Sequence, residues 1–219
     1  MWSEEVVNML ILGIGETLYM TGAATIVGYV FGLPMGVLMA TTAKDGIKPN
    51  MALYKGMDIL ANITRSIPFL ILLILMIPFT RAVTGKSYGS TATIVPLVAA
   101  AIPFIARMVE ASIREVDAGV IEAARSMGAG TFTIICKVLL VEARTSLIMG
   151  ATIALGTILG YSSMAGIVGG GGLGDIAIRY GYYRYETDIM LVTVVLLIIL
   201  VQVFQTSGSK LSVRLDKRK

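Results

Sequence analysis

Five stretches of the chain stay apolar for most of a membrane's thickness, and shorter polar segments separate them. About 20 helical residues, at 1.5 Å each, cross a hydrocarbon layer of about 30 Å. The windows are Leu18 to Ala40, Ile59 to Phe79, Ala92 to Met108, Ser146 to Met164 and Ile189 to Gln205. The third and fifth are short by this measure, and Arg65 sits toward one end of the second. A charge at mid-membrane costs about 2.5–3.5 kcal/mol on insertion scales, so the scarcity of charge in these windows supports the count. The pattern predicts an all-α membrane protein with five transmembrane helices in a single domain over residues 1–219.

The basic residues give these helices a direction. Lys44, Lys48, Lys55 and Arg65 lie on one side, with Arg107, Arg114, Arg125, Lys137 and Arg144. Lys210, Arg214, Lys217, Arg218 and Lys219 in the tail join them. The other side carries Arg81, Lys86, Arg179 and Arg184, which makes fourteen against four. Cytoplasmic loops are the Lys/Arg-rich ones, so the N-terminus is expected outside and the C-terminus in the cytoplasm. The start of the chain lacks the basic n-region of a signal peptide, and no cleaved leader is expected.

Within the first window Ala24, Gly28, Gly32, Gly36 and Ala40 recur every four residues. On a helix they form one small-residue face that lets another backbone approach closely. This is either ordinary packing within the chain or a contact that slides. Five of the six prolines, Pro34, Pro68, Pro78, Pro96 and Pro103, fall in or beside the windows, where they bend helices. The thirteen methionines form no tight cluster and read as core filler.

Composition agrees with the pattern and narrows the chemistry. Mean hydropathy is +0.82, and only 15% of residues are charged, against about 25% in soluble domains. With no histidine and one cysteine, Cys136, the chain offers nothing for haem, structural zinc or a Ser-His-Asp triad. No catalytic residue, cofactor or metal is expected. The net charge of +4 is spread over short loops rather than one face, which argues against nucleic acid.

Two glycine motifs suggest nucleotides and fail on context. Gly85-Lys86-Ser87 resembles the end of a phosphate-binding loop, but the glycine required five residues earlier is Thr80. Gly169 to Gly174 matches G-x-G-x-x-G, yet it follows a membrane window instead of a strand. It reads as a tight re-entry of backbone near the membrane surface. Any ATP is therefore used by a partner.

The segment from Arg107 to Arg144 is too polar to span and too apolar to be disordered. Asp117 is a candidate N-cap and Gly128 a candidate C′ stop, bracketing a helix of about ten residues. So short a helix is marginal alone in water. It packs either back on its own bundle or against another protein, with Ala123 and Ala124 as a low-profile surface beside Glu122 and Arg125.

Glu122-Ala123-Ala124, three residues, Gly128, nine residues, then Val138-Leu139-Leu140 resembles the EAA loop of ATP-binding-cassette importer permeases. Val138 stands where that family has Ile, and Val141 where it has Pro. The resemblance runs from the first window to the last. Arg65 to Phe69, Ile77 to Arg81, Gly160 to Met164, Gly171 to Gly174 and Tyr180 to Tyr182 resemble the methionine-uptake permeases. It implies a subunit of a bacterial plasma-membrane importer, paired with a second copy of itself in the lipid bilayer. It also implies two copies of a cytoplasmic ATPase and an extracytoplasmic methionine-binding protein. By this resemblance Glu122, Ala123, Ala124 and Gly128 form a coupling helix seated on the ATPase, and the pathway alternates at the dimer interface.

For the solute, Tyr161, Ser162, Ser163 and Met164 end the fourth window with a small polar cluster. They contact a zwitterion in transit, or they satisfy backbone beside the glycine turn. Arg179 and Arg184 either meet the binding protein or are solvated. The rival classes are an ATPase-independent channel or carrier, a permease for another amino acid, and a membrane enzyme.

Overall fold

The computed structural model describes residues 3–215, so Lys217, Arg218 and Lys219 of the basic tail lie outside the described residues. Helix α1, Glu4–Thr42, is 39 residues long and starts on Ser3, whose side chain accepts the Val6 N–H. Glu4 and Glu5 place negative charge at the positive end of its dipole. The apolar window found only its second part. The preceding turns are interrupted by Gly13, Gly15 and Glu16.

Helix α5, Ser90–Arg114, spans 25 residues and runs through Pro96 and Pro103. It packs along α1, and the four-residue repeat explains how. A Cβ on Gly32 would stand 2.9 Å from the Ile102 carbonyl oxygen and from Ile105, and one on Gly36 would stand 2.6 Å from Val109. The small face is therefore an intrachain seam between two backbones, with Met20 and Met39 filling space beside it as fully buried side chains. Of the two readings left open by the sequence, packing within the chain is the one observed.

The second window is not a single helix. Helix α2, Met51–Ser66, starts on Asn50, which accepts the Leu53 N–H. After Ile67 and Pro68 the chain turns by 100° into α3, Phe69–Leu75. Proline has no N–H for the hydrogen-bond ladder and disfavours the helical region for the residue before it, and Ile67 is extended here at φ −82°, ψ 122°. Helix α4, Ile77–Thr84, follows with Pro78 in its first turn and ends on Gly85 at φ 75°. The straight span expected from Ile59 to Phe79 is thus a broken one.

Beyond α5 lies α6, Ala118–Ser126. The chain then passes through α7, Thr131–Thr133, a π-helical stretch Ile134–Leu139 and α8, Leu140–Glu142. Helix α9, Arg144–Met164, matches the fourth window closely. A 3₁₀ turn and the glycine run lead into the five-residue α10, Gly172–Ile176. Helix α11, Thr187–Leu215, extends well past the fifth window at its C-terminal end.

Among the described residues, four helices are long and apolar enough to cross a membrane, and the bent α2–α3 pair makes a fifth span. The all-α, five-span architecture stands, with the second span broken. Helix α11 presents Leu191, Val195, Ile198, Ile199 and Val203 outward. In water such a face is untenable, and in hydrocarbon it carries no penalty.

Candidate functional site

Helix α6 projects beyond the spans as a short, well-capped element. The Asp117 carboxylate accepts the Gly119 N–H at 2.7 Å, and Gly128, at φ 79°, takes the left-handed conformation that closes a helix. Its adjacent alanines Ala123 and Ala124, about 100° apart around the helix, differ in burial. Ala124 is buried in the main core, with Ile121 packed against it, whereas Glu122, Ala123 and Arg125 are exposed. Arg125 also donates to the Ile47 carbonyl at 2.6 Å, tying α6 to the loop after α1.

The helix is thus folded back through one face and free on the other. Next to the free face, Met127 is 81% and Phe132 78% exposed. Met127 at the end of α6 and Phe132 in α7 lie outside the apolar spans, with no core to cover them. Exposed apolar groups of this kind mark contact surfaces.

The four residues at the end of α9 do not share one environment. Ser162 is buried, and its hydroxyl donates to the Leu159 carbonyl at 2.8 Å. Ser163 donates to the same carbonyl at 3.1 Å. Tyr161 stacks on Phe69 with ring centroids 4.5 Å apart and planes 6° from parallel. Met164 is exposed. Both serine hydroxyls are spent on their own helix, while Tyr161 and Met164 reach beyond it.

The glycine run behaves as the sequence suggests. Gly169, Gly171 and Gly172 all have positive φ, and the Gly169 carbonyl accepts the Gly89 N–H at the start of α5. Helix α1 caps α10 here. Glu16 accepts the Gly172 N–H at 2.6 Å, and Thr17 accepts the Leu173 N–H at 2.9 Å. Arg179 pairs with Asp175 one turn away, and Arg184 lies over the Tyr180 ring at 4.4 Å.

Sequence reasoning missed a charged network that joins α2 to α5. Arg107 binds Asp58, Asn62 and Glu110, the last at 2.8 Å. The Glu110 side chain, only 5% exposed, also accepts from the Tyr54 hydroxyl at 3.1 Å and has Arg114 at 3.6 Å. Arg114 in turn reaches Asp45 at 3.1 Å. Asp58 and Arg107 are 49 positions apart, so spacing alone gave no sign of the pair. Removing one partner of a buried ion pair costs about 3–5 kcal/mol. Arg107→Met, which leaves Glu110 without its nearest cation, is expected to lower the unfolding midpoint in detergent well below that of Arg107→Lys.

A polytopic bundle with one capped helix standing clear of its spans is a multi-pass membrane protein built to meet something outside the bilayer. The chain belongs to the family of binding-protein-dependent transport system inner membrane components, whose model matches residues 32–219. It is 49% identical to the probable D-methionine transport system permease protein MetI of Vibrio cholerae over 211 residues, covering 96% of this chain and 94% of that one. It is 50% identical to the D-methionine transport system permease protein MetI of Escherichia coli K12 over 164 residues, or 75% of this chain and 76% of that one. Among solved structures, a chain of the inward-facing MetNI methionine ABC transporter superposes with a TM-score of 0.97 at 47% identity. The alignment covers 99% of this chain and 100% of that one. An amino acid ABC transporter crystallised with histidines shares the fold at a TM-score of 0.80 and 20% identity.

Proposed function

We propose that this chain is the membrane subunit of an ATP-binding-cassette importer for methionine, acting as a pair of copies driven by a separate ATPase. The observation that carries this reading is the end-to-end correspondence with a methionine-transporter permease at 47% identity. An external solute-binding protein would deliver the amino acid, as the family's description implies.

In this reading α6 is the coupling helix. Glu122 and Ala123 present its free face to the ATPase, Ala124 anchors it to the bundle, and Gly128 fixes its exit. ATP binding would pull α6, and the bundle would follow because Ala124 and Ile121 are packed into its core. A two-state switch needs ligands that bind its states unequally, and here ATP and the loaded binding protein supply that difference. Tyr161, Ser162, Ser163 and Met164 remain the candidate pathway end of α9, with Tyr161 and Met164 as the side chains free to touch solute.

Orientation follows from charge. Arg65 sits level with Phe104 and so leaves the loop count, which becomes thirteen against four. The excess still supports an external N-terminus and a cytoplasmic C-terminus, with α6 on the cytoplasmic side.

The test is co-expression of a tagged chain with its candidate ATPase, followed by purification in detergent. A stable complex holding two copies of each subunit is expected. A chain that purifies without the ATPase, while remaining folded, would contradict the importer reading.

A further inference from the structure

We propose that Arg65, with the cleft it overhangs between the broken second span and α5, is a transient site for a zwitterionic amino acid inside the membrane part of the pathway. Arg65 takes the carboxylate, and the aromatic walls take the apolar side chain. This rests on the importer reading above and adds a residue and a chemistry that the end of α9 does not supply.

Depth is the first observation. Gly89 and Gly169 are hydrogen-bonded at one end of the bundle. At 1.5 Å per residue, Phe104 lies about 21 Å along α5 from Ser90. The guanidinium of Arg65 is over the Phe104 ring, 6.0 Å from its centroid. Counted from the Ser90 end, Arg65 therefore lies about two-thirds of the way across a layer about 30 Å thick, still inside the apolar region. An ionisable residue at that depth is costly and marks a function.

Its partners are the second. Among the described residues Arg65 makes no ion pair, whereas Arg107, three residues beyond Phe104 on α5, binds both Asp58 and Glu110. One helix pair thus satisfies one arginine with carboxylates and leaves the other with none. An unpaired guanidinium offers a planar fork of donors suited to a carboxylate.

The third is the cavity. The chain breaks at Ile67 and Pro68, immediately after Arg65. Irregular backbone at membrane depth persists only where protein buries it or a water-filled cavity meets it. A cavity of about 140 Å³ lies at this break, lined by Thr64, Arg65, Phe69, Leu72, Phe104 and Tyr161 among others. That is far more than one water requires. Apart from Thr64 and Arg65 its walls are aromatic and aliphatic side chains, and Phe69 and Tyr161 are held face to face. Thioethers make favourable contacts with aromatic rings, so these walls suit methionine. A single cation with no second charge beside it holds a carboxylate loosely enough to release it.

The test uses the assembled transporter in proteoliposomes with loaded binding protein outside. Arg65→Gln is expected to lower methionine uptake by about tenfold or more, while stimulated ATP hydrolysis stays within about twofold of wild type. Arg65→Lys, which keeps the charge without the fork, is expected to fall between. Wild-type uptake in Arg65→Gln would overturn the proposal, as would uptake and hydrolysis falling in step. A loss seen only in vesicles of anionic lipid would make Arg65 a phosphate contact and overturn it too.

A second measurement needs no variant. A diazirine analogue of methionine, photolysed during turnover, is expected to label peptides holding residues 64–69, 104 or 161. Labelling confined to other parts of the permease would contradict the site. If the wild-type complex takes up no methionine at all, the importer reading fails first and the site falls with it.

Discussion

Ala123→Trp is expected to abolish ATP-driven uptake, by about tenfold or more, while leaving the amount of folded chain in the membrane unchanged. The reasoning starts from the direction of one methyl group. Ala123 is exposed, so an indole there displaces nothing in the chain itself. If the free face of α6 seats in a partner, the same indole stands between two surfaces that must touch. A misfit of this kind removes the contact rather than weakening it, and each 1.4 kcal/mol lost is tenfold in affinity. Glu122→Lys should act in the same way by reversing a charge on that face. Ala124→Trp provides the contrast. That side chain is 5% exposed and part of the main core, so overpacking of about 1–3 kcal/mol or more falls on the fold itself. Quantitative immunoblotting of membranes beside uptake separates the two. Loss of uptake at constant abundance is expected for Ala123→Trp, and loss of abundance for Ala124→Trp.

Gly36→Leu is expected to have the largest effect on stability. Its Cβ alone would press on the Ala106 carbonyl oxygen and come within 2.6 Å of Val109. The backbone on the far side cannot rotate away as a side chain would, so α1 and α5 must separate along the seam. Overpacking a close core costs about 1–3 kcal/mol, occasionally more, and here the long extended seam of both helices is displaced. Gly32→Leu should behave alike, since its Cβ meets the Ile102 carbonyl at 2.9 Å. Gly22→Leu, on the same helix but with nothing within 4 Å, serves as the control. Thermal unfolding in detergent should show a large drop for the seam variants and little change for Gly22→Leu.

These two cases also show what a linear reading can and cannot reach. The four-residue repeat from Ala24 to Ala40 announced a close helix contact, because spacing on a helix sets which residues share a face. Which helix it met was not legible, since nothing in α1 names α5. Asp117 and Gly128 located α6 through local backbone chemistry, but which of Ala123 and Ala124 is buried depends on where the bundle lies. Pro68 signalled a bend, but its 100° angle was not legible in the sequence. The first turns of α1 escaped because Glu16 broke the apolar pattern. The same carboxylate proves to be a cap for α10, far along the chain. The network of Asp58, Arg107 and Glu110 joins α2 to α5 across residues distant in sequence, and only the fold brings them together.

Accumulation of labelled methionine by cells lacking their own uptake tests the account most directly, with the chain expressed beside its ATPase and binding protein. Uptake against the gradient is predicted to need all three components and an ATPase competent to hydrolyse ATP. Accumulation by the chain alone would make it a self-contained carrier or channel and contradict the account.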